Sequence, residues 1–436
     1  MPLAPSSDQP ALLDLNSNRQ NSADPPLTEA TYPQPIEPIS SARQQWHAQG
    51  ATAETTTSTT KDEVAQASEP GPARPPLSKR ATQLYTLSYL VFFAIFGTLA
   101  RLGLQALTFY TGAPVVTGVV WANVGGSLIM GFLSEDRNLF REEWGKIQAN
   151  NSNNPDQTEQ SKSHQAVKKT IPLYIGLTTG FCGCFTSFSS FIRDVFLALA
   201  NALPDPSLPA GSSIASRNGG YSFMALVAVI LLTVSLSLSA LIFGAHLALA
   251  LAQYTPTVPF TLTRRVLDRI IVVLGWGCWL GAVFLAIWPP DRHDGPDTWR
   301  GRAVFACVFA PVGCFVRYYL SMYLNSRIPA FPLGTFTTNV FGTIIEGVCY
   351  DLQHVNGLGA VVPAALTGCQ VLQGVMDGFC GSATTISTWV AELNGLSKRR
   401  HAYVYGLASV VVSLCFLIVI MGSLLWTRGF ADAVCG

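Results

Sequence analysis

Charge is what this sequence has least of. Only 12% of its 436 residues are Asp, Glu, Lys or Arg, about half the share of an ordinary soluble protein. Net charge is +1, and no basic stripe with interleaved aromatics is present, which excludes nucleic acid as a partner. CxxC pairs at zinc spacing are missing. The ten cysteines lie mostly inside apolar stretches and read as small helix-packing residues. The first twenty residues hold no apolar h-region, so no signal peptide is expected. There is no Ser/His/Asp set, HExxH or phosphate loop, and the six histidines are dispersed, so the chain is not expected to be an enzyme. Among them His246 has no neighbouring ligand and reads as a packing or interfacial residue.

Apolar residues fill the space that charge leaves. Hydrophobic types make up 49% of the chain, which points to an all-α polytopic membrane protein. Residues 1–80 are the exception, dense in Pro, Ser, Thr, Gln and Ala ("ATAETTTSTT"). They read as a disordered cytoplasmic tail, unable to bury enough surface to offset ordering. Beyond it, apolar stretches run near 83–110, 114–133, 171–200, 222–251, 267–288, 301–324, 333–350, 359–392 and 402–426. Each is long enough to cross a core of about 30 Å, so nine membrane helices are expected. Lys79, Arg80, Arg137, Arg141, Lys146, Lys168, Lys169, Arg264, Arg265, Arg327 and Lys398–Arg400 fall on one set of flanks. The poorer set carries Arg217, Arg292, Arg300, Arg302 and Arg428. The bias places the N-terminus in the cytoplasm and the C-terminus outside.

The chain also repeats itself. Gly97/Gly313, Arg101/Arg317, Asn123/Asn339, Gly126/Gly342 and Gly131/Gly347 pair at an offset of 216. Gly176/Gly374, Gly180/Gly378, Gly183/Gly381, Thr186/Thr384 and Asp194/Glu392 pair at 198, the drop of 18 matching the longer polar loop 134–170. Residues 81–255 and 296–430 are therefore two four-helix repeats, joined by a linker helix within 256–295. One odd helix between them turns the second copy upside down, which places sites near the midplane between copies.

Each copy's third helix carries Gly-Phe-Cys-Gly and then a Thr/Ser-rich stretch: "GFCGCFTSFSSF" and "GFCGSATTISTW". Glycine weakens helix, and hydroxyls can satisfy the backbone groups a break sets free. A broken third helix is expected in each copy, the two breaks facing each other, with opposed carbonyls suited to Na⁺. "GLTTG" and "GVMDG" are GxxxG patterns that let backbones approach.

Gly-x-x-x-Arg in helix one, Asn-x-x-Gly in helix two and this helix-three motif, each found twice, resemble the Fluc/FEX fluoride channels, particularly the fused two-domain eukaryotic type. The resemblance covers residues 85–426. It implies a central structural Na⁺ on backbone carbonyls at Gly183, Thr186, Gly381 and Thr384. It implies fluoride paths lined by Asn123 and Asn339, by Phe188 and Phe191, and by a Tyr405–Ser409–Ser413 track on the last helix. Ile386 and Trp389 replace the phenylalanines in the second copy. The first copy has Ser235, Ser237 and Ser239 but no Tyr-Ser-Ser stripe at that spacing. Neutral donors and aromatic edges suit an anion that must enter and leave without a trapping charge; alternatively, the hydroxyls bond their own i−4 carbonyls. Arg101 and Arg317 either snorkel to an interface or line a vestibule that attracts anions. Asp194 and Glu392 read as structural partners near helix ends, and Glu346, aligned with Met130, has no evident role. The function implied is passive fluoride export with one conducting and one degenerate pore, by a plasma-membrane protein acting as a monomer. A proton-coupled exporter of small ions or organic cations, using Glu346, is the alternative.

Overall fold

The computed structural model describes residues 78–141, 167–208, 215–290, 300–355 and 363–435. The expected tail lies outside them except for residues 78–80, as do most of the loop 134–170 and residues 291–299. No strand occurs among the described residues. Among the described residues nine helical rods follow in chain order: α1 Lys79–Thr108, α2 Val119–Glu135, a broken α3, α4 Gly219–Ala250, α5 from Leu262 to Ile287, α6 from Arg300 to Leu324, α7 Leu333–His354, a broken α8, and α9 Arg399–Arg428. The chain is a multi-pass membrane protein: α1, α3, α4, α5, α6 and α9 are long and apolar enough to cross a bilayer. The α2 helix is apolar but shorter. In α7 the polar residues Thr335, Thr338, Asn339, Thr343 and Glu346 are all fully buried, so its low hydropathy reflects groups turned away from lipid.

Local chemistry sets several ends. Asn218 caps α4 by accepting from Tyr221 N at 3.0 Å, satisfying a donor that the first turn leaves free. The C-terminal carbonyls of α2 receive the Lys168 ammonium, which donates to Leu133 O at 2.9 Å and Ser134 O at 3.2 Å. Burial pushes Lys168 down to about 8. After α9 the chain folds back: Phe430 packs on Tyr350, Ala431 N donates to His354 O at 2.8 Å, and Cys435 is disulfide-bonded to Cys369. That pair departs from the packing role expected of the cysteines. The linker α5 is tied to α1 by Trp276 Nε1–H on Ser88 Oγ (3.0 Å) and Tyr89 O–H on Asp268 Oδ1 (3.1 Å). His246 is exposed on α4.

Both third helices break, but not at their glycines. In α3, Pro172–Ile175, a π-helical Gly176–Cys182 and Gly183–Phe185 are continuous; the chain then extends at Thr186 (φ −96°, ψ 152°) and Ser187 (φ −140°, ψ 121°) before α3b, Phe188–Leu199. In α8, Pro363–Gly374, a π-helical Val375–Cys380 and Gly381–Ala383 lead to an extended Thr384 (φ −100°, ψ 154°), and α8b is Ser387–Gly395. The glycines stay helical because their task is close approach. A Cβ on Gly97 would lie 2.5 Å from Phe181 O, one on Gly180 2.8 Å from Phe93 Cβ, and one on Gly378 would strike Ala306 O. The π-turns also spread along this stretch, widening the helix before it opens.

The post-break segments change partners. α3b packs on α7 and α9 as well as α4, while α8b packs on α2, α4 and α9. One buried cluster therefore joins Phe188, Phe191, Ile386, Trp389, Tyr405 and Leu417 from both halves.

Candidate functional site

At the centre, each half holds the other half's break. Arg101 donates to Gly381 O (2.8 Å), Cys184 O (2.9 Å) and Asp377 O. Arg317 donates to Ser382 O (2.9 Å) and Thr179 O (2.6 Å). Both side chains are fully buried, so neither snorkels nor faces a vestibule. Their planar forks bind carbonyls that a π-helix and a break leave short of partners. The glycines beside them leave the room: a Cβ on Gly183 would collide with Arg317, and one on Gly381 with Arg101.

The threonines at the breaks cap across the centre. Thr186 Oγ1 accepts from Ile386 N (3.2 Å) and Ser387 N (3.1 Å) at the start of α8b. Thr384 Oγ1 accepts from Phe188 N (3.2 Å) and Ser189 N (3.0 Å) at the start of α3b. Each also donates to a carbonyl of its own helix, Cys182 O at 3.1 Å and Cys380 O at 2.9 Å. Thr186 Oγ1 and Thr385 Oγ1 lie 3.1 Å apart, so the breaks are in contact. Closely set neutral oxygens at unwound backbone are donors that suit a hard alkali cation. The Gly381 carbonyl already accepts from Arg101 but retains a second lone pair.

Asn123 and Asn339 each clamp the break of their own half. Asn123 donates to Ser187 O (3.3 Å) and accepts from Ser187 N (2.8 Å); Asn339 does the same with Thr385 (3.3 and 2.9 Å). Beside them run two grooves, α7–α9 and α2–α4.

In the α7–α9 groove, Glu392 accepts from Tyr405 O–H (2.6 Å), Thr335 O–H (2.7 Å) and Asn325 N–H (3.2 Å), all buried. Ser409 donates to Tyr405 O at 2.7 Å, the i−4 bond that was the alternative reading. Ser413 Oγ is fully buried with no partner. The edge-on rings of Phe188 stand 5.7 Å from Phe191 and 5.4 Å from Trp389. The indole N–H of Trp389 and the hydroxyl of Thr388 also have no partner.

The α2–α4 groove corrects the reading of the first copy's hydroxyls. Gly131 meets Leu241, as Gly347 meets Leu417, which fixes α4 against α9 at an offset of 176. Val229, Thr233 and Ser237 thus occupy the places of Tyr405, Ser409 and Ser413; Ser235 and Ser239 do not. Two of the three hydroxyl positions survive, and Thr233, Ser237 and the nearby Ser127 are buried without partners. What is lost is the Glu392 cluster. Phe109, Val119 and Val229 stand where the other half has Asn325, Thr335 and Tyr405, and Asp194 pairs with the adjacent Arg193 (3.3 Å) instead.

Several of these residues escaped the sequence. Asn325, Thr335 and Ser127 belong to no repeated identity. Arg193 stands outside the paired positions, yet its Nη1 lies 3.0 Å from Glu346 Oε1. A repeat alignment screened for unequal pairs would have found it, because Arg193/Ala391 and Glu346/Met130 both break the pattern.

The sequence matches the family "CrcB-like protein, Camphor Resistance (CrcB)" over residues 88–245 and again over 304–423. It is 56% identical to Fluoride export protein 1 of Neurospora crassa over 381 residues, 83% of this chain and 70% of that protein. The Candida albicans protein of the same name is 36% identical over 349 residues, 78% of this chain and 80% of the relative. The fluoride-specific ion channel FluC of Geotalea daltonii is 32% identical over 117 residues, which is 88% of that protein but 26% of this chain. No solved structure matches.

Proposed function

Because the chain belongs to the CrcB-like family, we propose that it is a passive fluoride channel exporting the anion down its electrochemical gradient. The names of its relatives point to a transporter rather than an enzyme. The observation that carries the reading is the α7–α9 groove. Beside Asn339 it holds the hydroxyls of Ser409, Ser413 and Tyr405, with Phe188 and Trp389 edging it, all buried, and its acid Glu392 is bonded to Tyr405, Thr335 and Asn325. Such a surface can replace hydration without a charge that would trap the ion. A negative interior drives a monovalent anion outward by about 2.3 kcal/mol per 100 mV, so no coupling ion is required.

The finer reading is of two inverted four-helix repeats around α5, nine crossings in all, with the α7–α9 groove conducting. Backbone contact supports treating the α2–α4 groove as degenerate: a Cβ on Gly131 or Gly244 would collide with Leu241 O or Leu128 O, whereas Gly347 faces only side chains. A structural Na⁺ would be held by the carbonyls of Gly183, Thr186, Gly381 and Thr384, and would supply positive charge to opposed carbonyls. Fusion of the repeats favours a monomer, and a toxic anion must leave at the plasma membrane. A cytoplasmic N-terminus and an outside C-terminus agree with the Cys369–Cys435 bond, since disulfides persist in oxidising compartments. The proton-coupled alternative gains no support, because Glu346 is paired with Arg193.

Fluoride-loaded liposomes test the reading. Rapid efflux that follows voltage and ignores a pH gradient is expected. Saturable, proton-linked flux would overturn it. Omitting Na⁺ during purification should lower the thermal midpoint if the central cation is present, and an unchanged midpoint would remove the cation from the scheme.

A further inference from the structure

Glu346 is fully buried on the face of α7 that also carries Asn339 and Thr343, two turns and one turn away. No well-aligned hydrogen bond reaches either of its oxygens; Arg193 Nη1 lies 3.0 Å from Oε1, and Ser189 and Asp377 also lie beside it. Arg193 comes from α3b, two residues past Phe191, and its side chain is 19% exposed. Its other nitrogen, Nη2, reaches Asp194 at 3.3 Å. The equivalent places in the other groove hold Met130 and Ala391, so the fold does not require an ion pair here.

Resting on the channel reading above, we propose that Arg193 is a permeation residue: it cancels the charge of Glu346 so that an anion can pass the far half of the α7–α9 groove. A carboxylate sunk in the wall of an anion path repels its cargo strongly at low dielectric. The guanidinium brings an opposite charge to contact distance of Glu346, while its Nη2 reaches Asp194. Asp194 adds a second negative charge beside it, so loss of Arg193 leaves two carboxylates at the exit.

The two charges therefore act unequally, which a mere structural bridge would not produce. Fluoride efflux is measured from liposomes for wild type, Arg193→Gln, Arg193→Lys, Glu346→Gln and the double variant Arg193→Ala/Glu346→Met, which imports the residues of the other groove. Arg193→Gln is expected to slow efflux about tenfold or more. Arg193→Lys and Glu346→Gln should stay within about threefold of wild type, and the double variant should recover most of the loss, as apolar replacement of a buried pair commonly does. Equal losses from the two Gln variants, or a double variant no better than Arg193→Gln, would overturn the proposal. Should Arg193→Gln fail to give monodisperse protein, Arg193→Lys and the double variant decide the matter. Efflux from wild type tests the channel reading separately.

Discussion

The two grooves of this molecule are built on one plan and differ at few positions. Both have a helix-two Asn clamping a break, two hydroxyls on the facing helix and an acid on the post-break helix. In the α7–α9 groove that acid, Glu392, is satisfied by Tyr405, Thr335 and Asn325. In the α2–α4 groove those three donors are Val229, Val119 and Phe109, and two glycines bring the helix backbones together. The lesson is that a repeat can keep its central interlock, which the fold needs, while one flank loses the donors that satisfy its acid. The centre holds both breaks, so a change there damages everything; each groove's helix pair, α7–α9 or α2–α4, belongs to one half, with the other half's post-break segment packed against it.

Breaking the centre should show this most plainly. Arg101→Ala and Arg317→Ala each strand several buried carbonyls, and about 3–5 kcal/mol of stability should be lost for either. Thermal unfolding in detergent should put the two within error, and a large difference would mean the centre is not shared equally. Next comes function: Tyr405→Val with Thr335→Val copies the α2–α4 residues into the other groove. Fluoride efflux should fall about 100-fold, or ~2.7 kcal/mol on the barrier. Asn339→Ala should likewise cost more efflux than Asn123→Ala, and equal partial losses would contradict a single working path. Gly244→Ala sharpens the contrast from the other side. Its Cβ would meet Leu128 O, so stability should drop by about 1–3 kcal/mol while efflux per folded molecule is unchanged.

The smallest effect concerns Lys168, whose repeat position in the second copy is Leu366. Burial lowers the Lys168 ammonium to about 8, below its value in the unfolded chain. Between those values the unfolded state binds more protons, so stability rises with pH from about 8 toward 10.5, by on the order of 1 kcal/mol. Comparing midpoints at pH 8 and pH 10 should show the rise in wild type and its loss in Lys168→Met.

Much of this was legible before any coordinates. The apolar stretches, the ten paired positions and the doubled helix-three motif carry the architecture, and Thr186 and Thr384 were placed at the breaks. Other features were hidden for identifiable reasons. Glycine's poor helix propensity points to a break at Gly-Phe-Cys-Gly, but close packing keeps those residues helical and moves the break to Thr186 and Ser187. The α4–α9 register was hidden because, apart from Ser237/Ser413, its identities are aliphatic pairs such as Leu238/Leu414 and Leu241/Leu417, which two apolar helices match in many registers. Cys369 and Cys435 are 66 residues apart among ten cysteines, and no spacing rule connects them.

Sequence alone determined that the chain crosses a membrane repeatedly, contains itself twice and breaks its third helix in each copy. Those properties follow from hydropathy, identity and backbone preference, all of which are local to a stretch of chain. Only the tertiary structure decided which half each arginine and threonine serves, which hydroxyls face one another and which charges meet. Those are contacts between residues some two hundred positions apart, and packing alone selects them.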